Sequence, residues 1–326
     1  MTSVQTAIRA QTRNRASRPA QTQAAPSLLA SLPQSDAVTL VKVKSLLSDL
    51  MPRILANNPA KIAELDANIE NFKTRTGLDP RSFDEVALGF RYLYPGEGVT
   101  KVITAALAKG TFNAGAMVAA GRLAANGKYR EEKYQGKSIY VFSLDENIRL
   151  FGLIDLRIRE LAASPIDANT LALGDAQSIR SVIDASAGQS RVNSDLVSLA
   201  SRDPNAVIGF GSNISPQLLQ NLDVSNASFA GDLSGVRQAY GSIGANERDL
   251  EVFIGAKTIN NDAARNLGDT LEGLKQLGAL FAGRLAGPKG VLAKSALSNL
   301  KIVTLANELQ IRTAVPQADI GTLVAR

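Results

Sequence analysis

One stretch of the chain, residues 249–285, constrains the fold more than any other. Its sequence DLEVFIGAKTINNDAARNLGDTLEGLKQLGALFAGRL opens with the pattern of a strand, turns at an asparagine pair and continues as the longest amphipathic helix. A shorter version of the same order, KVITAALAKGTFNAGAMVAAGRLAAN, occupies residues 101–126. We interpret the chain as two copies of one module built around these two helices.

The order of the predicted elements supports this duplication. Each half contains a strand, a helix, two antiparallel strands, a second helix, a hairpin and a final helix. Such strands, joined by hairpins with helices between them, predict an α+β fold of two similar modules, each a mostly antiparallel sheet backed by helices. Local matches between the halves are Ser35-Asp36-Ala37-Val38 with Pro204-Asn205-Ala206-Val207, Ala108-Lys109, Asn113 and Ala116 with Ala256-Lys257, Asn260 and Ala263, and Gln177 with Gln317.

Hydrophobic periodicity and turn residues place the individual elements. Strands are predicted at residues 35–43, 86–93, 102–109, 129–134, 138–143, 156–163, 170–173, 205–210, 236–242, 250–256, 301–305 and 309–314. Helices are predicted at 45–55, 59–74, 112–125, 176–185, 194–201, from 215, from 262, at 291–297 and at 316–324. Residues 222–232 are predicted to be a polar loop.

Three regions follow from composition. Residues 1–31 are rich in Gln, Ala, Thr, Ser and Arg and are predicted to be a disordered, Arg-rich tail, because such a segment buries little apolar surface. Removing this tail is expected to leave thermal stability unchanged. Residues 32–190 form the first α+β module and residues 191–326 the second, divided at the Gly/Gln/Ser-rich segment 187–191.

The absence of two residue types excludes several kinds of chemistry. The chain contains no cysteine and no histidine. Disulfides, thiol catalysis and zinc sites built from Cys and His are therefore excluded, and the commonest general base is absent. The longest apolar runs fall short of the roughly 18–20 residues that cross a bilayer, so no transmembrane segment is predicted.

The net charge of +6 does not indicate a nucleic-acid partner once it is located. The tail holds Arg9, Arg13, Arg15 and Arg18, so 36 − 4 = 32 basic residues face 30 acidic ones in the rest of the chain. A nucleic-acid surface needs clustered basic residues, and aromatic residues, on which bases stack, make up only 5% of the chain. We therefore predict no nucleic-acid partner.

Several segments resemble an uncharacterised family of bacterial proteins found in acidobacteria-like genomes. They are SLPQSDAVTLVKVKSLL, FKTRTGLDPRSFDEVALGF, KGTFNAGAMVAAGRLAANGKYREEKYQGKSIYVF, NTLALGDAQSIRSVIDA and NLGDTLEGLKQL, and the resemblance extends from about Leu32 to the C-terminus. Members usually carry a secretory signal, so the resemblance implies an exported, periplasmic or envelope-associated protein. It supplies no activity, cofactor or site residue. The N-terminus departs from the family because it shows no apolar signal core.

Glycine-rich segments suggest nucleotide sites only weakly. Gly209-Phe210-Gly211 follows a strand but lacks the third glycine and the helix of a dinucleotide motif, so a turn at the strand end is favoured. The segment 283–290, GRLAGPKG, lacks the Gly-Lys-Ser/Thr of a phosphate loop and lies between helices. We interpret it as a helix-breaking loop.

Polar groups offer equally weak candidates for catalysis. The carboxylate pairs Asp145-Glu146 and Asp249/Glu251 lack calcium-loop spacing and are expected on the surface. Lys42 and Ser45 run in the reverse order of a Ser-x-x-Lys motif and are expected at a helix start. Asn213-Ile214-Ser215 and Asn226-Ala227-Ser228 match glycosylation sequons, which carry little weight in a bacterial chain.

A leucine stripe marks the long helix: Leu267, Leu271, Leu274, Leu277 and Phe281. A helical apolar stripe usually packs on the protein's own core, and the alternative is a surface for a partner or an apolar ligand.

Three functions remain open. The first is a non-enzymatic bacterial envelope or periplasmic protein for binding or scaffolding, with another envelope protein as partner. The second is a carrier of an apolar ligand such as a lipid, which predicts a cavity of several hundred Å³ lined by Leu, Val and Ala. The third is a hydrolase using Ser and Lys or carboxylates. We assign no catalytic, cofactor-binding or metal-ligating residue and no cofactor; export is the expected location, with the cytoplasm as the alternative.

Overall fold

The computed structural model describes residues 27–150, 154–221 and 227–324. Its strands form a single twelve-stranded sheet in which every neighbouring pair is antiparallel, in the order β11-β12-β10-β9-β8-β1-β2-β3-β7-β6-β5-β4. The strands are β1 Ala37–Val41, β2 Phe83–Gly96, β3 Val99–Gly110, β4 Tyr129–Tyr134, β5 Lys137–Leu150, β6 Ile154–Pro165, β7 Thr170–Gly174, β8 Ile208–Asn213, β9 Val236–Ala245, β10 Asp249–Thr258, β11 Lys301–Leu305 and β12 Glu308–Pro316.

Helices connect and cover these strands, so the predicted α+β class is confirmed. They are α1 Val43–Ser45, α2 Met51–Ile54, α3 Pro59–Thr76, α4 Ala114–Ala124, α5 Ala176–Ser186, α6 Ser194–Ala200, α7 Pro216–Gln220, α8 Ala227–Leu233, α9 Asn261–Ala282, α10 Pro288–Ser298 and α11 Gln317–Val324. The predicted loop at 222–232 is wrong over its second part, which is helix α8; residues 222–226 lie outside the described ranges.

The two similar modules share one sheet, so the expectation of two separate sheets is wrong. Strand β1 pairs with β2 on one side and with β8 on the other, in an antiparallel register that places Thr39 opposite Phe210. Both edges of β1 are thereby satisfied by backbone hydrogen bonds. The division into domains at 190 and 191 stays a prediction.

The central hairpins of the two halves have the same strand register, including the same β-bulge. In the first half Phe83 pairs with Gly110 and Glu85 with Lys109, so Asp84 is an extra, bulged residue. In the second half Val236 pairs with Thr258 and Gln238 with Lys257, so Arg237 takes the same place. A β-bulge is a specific structural feature of a strand pair. Its presence at the same position of both hairpins shows that β2–β3 and β9–β10 are equivalent.

The corners before the two long helices repeat the same contacts. Asn113 accepts a hydrogen bond from the Ala116 amide at 2.8 Å, and Asn260 caps its helix through Ala263 at the same distance. Two turn asparagines, Asn169 and Asn307, each exchange backbone and side-chain bonds with the last residue of the central hairpin, Gly110 or Thr258. The predicted matches at Asn113/Asn260 are therefore equivalent positions.

At the first strand of each half, the sequence match of residues 35–38 with 204–207 differs by two residues from the structural equivalence. The Lys42 amide donates to the Val207 carbonyl, and the Asn213 amide donates to the Asp36 carbonyl, both at 2.8 Å. A two-fold rotation about the β1–β8 pair exchanges these two bonds, so Asp36 corresponds to Val207. The sequence match aligned Val38 with Val207, two residues away and on the same side of the strand.

Apolar side chains cover both faces of the sheet. On one face of the sheet, here called face A, the side chains of Val38, Ala87 and Leu107 pack against α5, α6 and a 3₁₀ turn at Leu28–Ser31. The opposite face, face B, packs against α2, α3, α4, α9 and α11 through three further apolar clusters. The core therefore consists of two layers on either side of one sheet.

The halves differ at their outer ends. Helix α5 covers face A over β3, β7 and β6, whereas its counterpart α11 turns to face B and packs Ile320 near Ile54 and Leu250. The hairpin β4–β5 extends the sheet beyond β6 in the first half. In the second half, no described strand lies beyond β11 in the sheet. Over β10, β12 and β11, no described helix covers face A.

The boundary of the predicted N-terminal tail is wrong at its end. Leu28 and Leu29 are buried in the main core cluster, and Leu29 is fully inaccessible to solvent. Residues 1–26 of the predicted tail lie outside the described ranges. A deletion that reaches residue 31 would therefore remove core side chains.

Replacement of Leu29 by alanine is expected to lower the free energy of unfolding by about 2–5 kcal/mol, because it leaves a cavity between face A and its helices. Leu123→Ala is the matched control, since Leu123 is 83% exposed. Denaturant unfolding of the two variants measures the difference. Equal stability of Leu29→Ala and Leu123→Ala would contradict the burial of this turn.

Candidate functional site

The most unusual surface of the protein is the turn between α9 and α10, here called the α9–α10 tip and defined as residues 277–291. Helix α9 begins as a core helix, with Leu267 only 2% exposed and packed with Val236 and Leu309 on face B. It runs for 22 residues, so at about 1.5 Å per residue its last turns reach well beyond this cluster.

Large apolar side chains at the tip face solvent. Leu280 is 70% exposed and Phe281 is 60% exposed, and three further side chains of this kind are about half exposed: Leu277, Leu285 and Val291. Single exposed apolar residues are common, but five within one helix–loop–helix form a contiguous segment of the kind that marks interaction sites.

The tip is held firmly to the sheet by α10. Thr313 of β12 donates to the Ala296 carbonyl at 2.7 Å, and Ser295 donates to Asp319 of α11 at 2.6 Å. Gly287 starts α10 with φ of +71°, a conformation that favours glycine, and a side chain on Gly290 would collide with the Leu285 carbonyl. The conformation of the turn that carries the apolar residues is therefore fixed by these contacts.

The charged side chains at and beside the tip are all positive. Between Glu272 and Glu308 the sequence contains no acidic residue. Arg284, Lys289 and Lys294 are exposed there, and no carboxylate of the described ranges forms an ion pair with them. The tip therefore combines an apolar surface with uncompensated positive charge.

The leucine stripe of the long helix accordingly has two roles. Its first residues, Leu267 and Leu271, pack on the core as expected. Its last two, Leu277 and Phe281, are exposed. The stripe looks uniform in the sequence because periodicity identifies a helical face and does not show where the underlying sheet ends.

A second cluster lies on the uncovered part of face A. The Tyr240 ring is fully buried, and its hydroxyl donates to the Glu308 carboxylate and accepts from Arg202, each at 2.5 Å. The Arg202 guanidinium lies 4.8 Å from the Tyr240 ring centre, and that of Arg312 lies 4.2 Å from the ring of Phe253. Planar cations stacked on aromatic rings cover this part of face A, where the first half uses a helix.

Electrostatics in this cluster follow from burial and pairing. Burial opposes ionisation of Glu308, but the hydrogen bonds from Tyr240 and Gln310 and the charge of Arg202 outweigh it and hold the pKa of this carboxyl below its ordinary value. Burial, together with the neighbouring Glu308 carboxylate, raises the pKa of the Tyr240 hydroxyl. Tyr240 therefore stays a neutral donor to an ionised carboxylate.

Two cavities occur away from these clusters. Lys42 and Ser45 line an open groove of about 330 Å³ together with Lys44, Asp84, Glu85 and Lys109. Lys42 donates to the Pro204 carbonyl at 2.5 Å, so its ammonium is directed to the backbone. The second cavity, about 70 Å³, is lined by Ile54, Asn57, Asn58, Ala318, Gly321 and Thr322. Neither has the Leu, Val and Ala lining that the carrier hypothesis predicts.

The glycine motifs are structural. Gly209 and Gly211 lie within β8, and side chains there would collide with Ala200 and crowd Leu199 of α6. They permit close packing of helix on sheet, and they lie within the strand instead of at a turn after it. Gly283–Gly290 is a helix-breaking segment, as predicted.

The carboxylate candidates do not converge. Glu251 accepts a hydrogen bond from Asn246, and the Asp249 amide donates to the Asn246 side chain, both at 2.8 Å. The side chains of Asp145 and Glu146 lie outside the described part of the chain, as does Asn226. Among the described residues, no group of three carboxylates is placed to hold a metal ion.

Comparisons with known proteins give a fold and no family. No protein-family model matches the chain, and no curated protein matches it. Crystal form III of TP0453 is similar, with a TM-score of 0.50 and 9% sequence identity over 91% of this chain and 97% of that one. Crystal forms I and IV of the same protein give TM-scores of 0.45 and 0.46 at the same identity. At this identity the likeness supports the α+β fold alone.

No described helix combines the length and apolarity needed to span a membrane.

Glu308→Gln is expected to lower the free energy of unfolding at pH 7 by about 1 kcal/mol, the value of a partly exposed charged hydrogen bond. Because the folded-state pKa of Glu308 is lowered, its contribution is complete above the ordinary carboxyl pKa of 4.5 and is lost as the pH falls through the folded-state value. The difference between the two proteins should therefore shrink in acid, as measured by denaturant unfolding at several pH values.

Glu251→Gln is the control, since Glu251 is an exposed carboxylate on the neighbouring strand β10. It should change stability by less than about 0.5 kcal/mol. A Glu308→Gln effect that is the same at pH 3 and pH 7 would exclude an ionic role for this carboxylate.

Proposed function

We propose that the protein is a non-enzymatic binding protein of the bacterial envelope, and that it docks through the α9–α10 tip onto an anionic lipid surface. The observation that carries the proposal is the combination of exposed Leu280 and Phe281 with the cations Arg284 and Lys289 on one turn. Surface-bound helices insert their apolar residues to the level of the headgroups and attract anionic lipids through Lys and Arg.

A lipid surface fits this tip better than an acidic protein partner. The exposed residues are leucines, a valine and a phenylalanine, and they lie on two helices and the turn that joins them. Exposed apolar side chains can enter a fluid lipid interface directly, whereas a protein partner would need a surface complementary to them. An exported location, proposed here from the resemblance to envelope proteins, would place the tip beside such a surface.

The carrier hypothesis receives no support from the described cavities, because they are small or polar. We also propose no hydrolytic activity, since Lys42 is bound to a backbone carbonyl and the acidic pairs do not meet. The binding role rests on a surface that the fold presents, and it requires no catalytic group.

The double variant Leu280→Asp/Phe281→Asp is expected to lose binding to vesicles that contain phosphatidylglycerol. Each large apolar side chain contributes roughly 1.5–3 kcal/mol when fully buried, so partition should fall at least tenfold. Co-sedimentation with vesicles of phosphatidylcholine and phosphatidylglycerol measures it. Leu123→Asp is the control, because Leu123 is equally exposed on α4, the counterpart of α9. Undiminished binding of the double variant would remove the tip from consideration.

Neutralising Arg284, Lys289 and Lys294 with glutamine should weaken binding to anionic vesicles at low salt by about fivefold per residue, since each basic residue near such a surface contributes about 1 kcal/mol. Added salt should reduce the difference, because exposed charges are screened. A control variant removes three exposed cations of the first half, Arg91, Lys101 and Lys128. If both triple variants lose binding equally, attraction is a property of net charge and the tip is not the docking site.

A further inference from the structure

Strand β11 ends the sheet with an unprotected edge. It pairs with β12 on one side only, and no described strand lies on its other side. The equivalent strand of the first half is β6, which pairs with β7 on one side and with β5 on the other. Among the described strands, β11 therefore has no counterpart of β5, the strand that pairs with β6 in the first half.

The opposite edge of the sheet is protected and β11 is not. Strand β4 carries four charged side chains in six residues, Arg130, Glu131, Glu132 and Lys133. Strand β11 carries one, Lys301, at its start, while Val303 and Leu305 are about half exposed. Charged residues on an edge strand discourage the addition of another strand, and apolar ones favour it.

The exposed side chains of β11 have a defined direction. Val303 and Leu305 pair with Gln310 and Glu308, so they lie on face A, where no described helix covers β10, β12 or β11. In the first half, β5 places Ile139 and Val141 on face A beside β6, and both are buried there. An occupant of the β11 edge must supply apolar side chains on the same face.

We propose that β11 pairs antiparallel with β11 of a second copy of this chain, about a two-fold axis perpendicular to the sheet. The chain already joins its two modules in this way at β1 and β8, with face A continuous across the junction. The strand also fits itself: with Val303 at the centre, Val303 faces Val303 of the partner subunit and Lys301 faces Leu305 of the partner subunit. Apolar side chains then meet at the centre, and no like charges are opposed.

This pairing goes beyond the proposed lipid docking and does not depend on it. The two-fold axis keeps face B on one side of the joined sheet, so both copies of α9 and α10 lie on the same side. Two tips on one side would add avidity for a surface. The dimer itself forms without lipid and is measured without it.

The absence of cysteine permits a direct test by cross-linking. Val303→Cys introduces one thiol, and opposite residues of an antiparallel pair have Cα atoms about 4.5–5.5 Å apart, within the range that a disulfide spans. Mild oxidation of the full chain should give a covalent dimer as the main product, reversed by dithiothreitol. Val99→Cys, an equally exposed valine at the start of β3, should give at most a minor fraction. Equal cross-linking of the two variants would overturn the proposal.

Analytical ultracentrifugation over a concentration series is the second test. The wild-type chain should sediment as a dimer, and Val303→Lys/Leu305→Lys should raise the dissociation constant at least tenfold by opposing lysines across the axis. Val99→Lys/Val102→Lys, which adds the same charge to exposed valines elsewhere, should remain dimeric. A monomeric wild-type chain at all concentrations, or an undisturbed dimer in the β11 variant, would refute the pairing.

Discussion

The antiparallel pairing of β1 with β8 is the contact on which the rest of the structure depends. An isolated edge would leave a row of unpaired amides and carbonyls, and here each module satisfies the other's first strand. The junction also fixes which faces become continuous. Because face A passes unbroken from one module to the next, α6 and the turn at Leu28–Ser31 can pack across the junction and share one core.

The two halves share a backbone plan but differ in the helices that cover it, and this difference accounts for the surface of the second half. Both central hairpins keep the same bulge and the same asparagine corners, so the backbone plan is shared. The coverings differ: α5 lies on face A of the first half, whereas α11 takes face B in the second. Tyr240 and Phe253 then need another cover, and Arg202 and Arg312 supply it by stacking on the rings. The polar cluster thus lies where no described helix covers face A.

The same differences place both proposed interaction surfaces, the α9–α10 tip and the β11 edge, in the second half of the chain. Helix α9 has 22 residues where its counterpart α4 has 11, and its last turns, beyond the core cluster around Leu267, form part of the apolar, cationic tip. Strand β11 lacks the neighbour that β6 has in the first half. Among the described residues, a hairpin and a helix therefore cover the first half, whereas no strand or helix covers the edge and the tip of the second half.

The sequence by itself determined most of the elements and the α+β class, and it indicated the repeat, because periodicity and capping act over a few residues, as at Asn113 and Asn260. It also determined which chemistry is excluded, through the absence of Cys and His. Only the tertiary structure decided that the modules share one sheet, that Leu29 is core, and that Leu277 and Phe281 leave the core where Leu267 does not. Those outcomes depend on which strands pair and where the sheet ends. Both are set by contacts between residues distant in sequence, which local sequence patterns do not reveal.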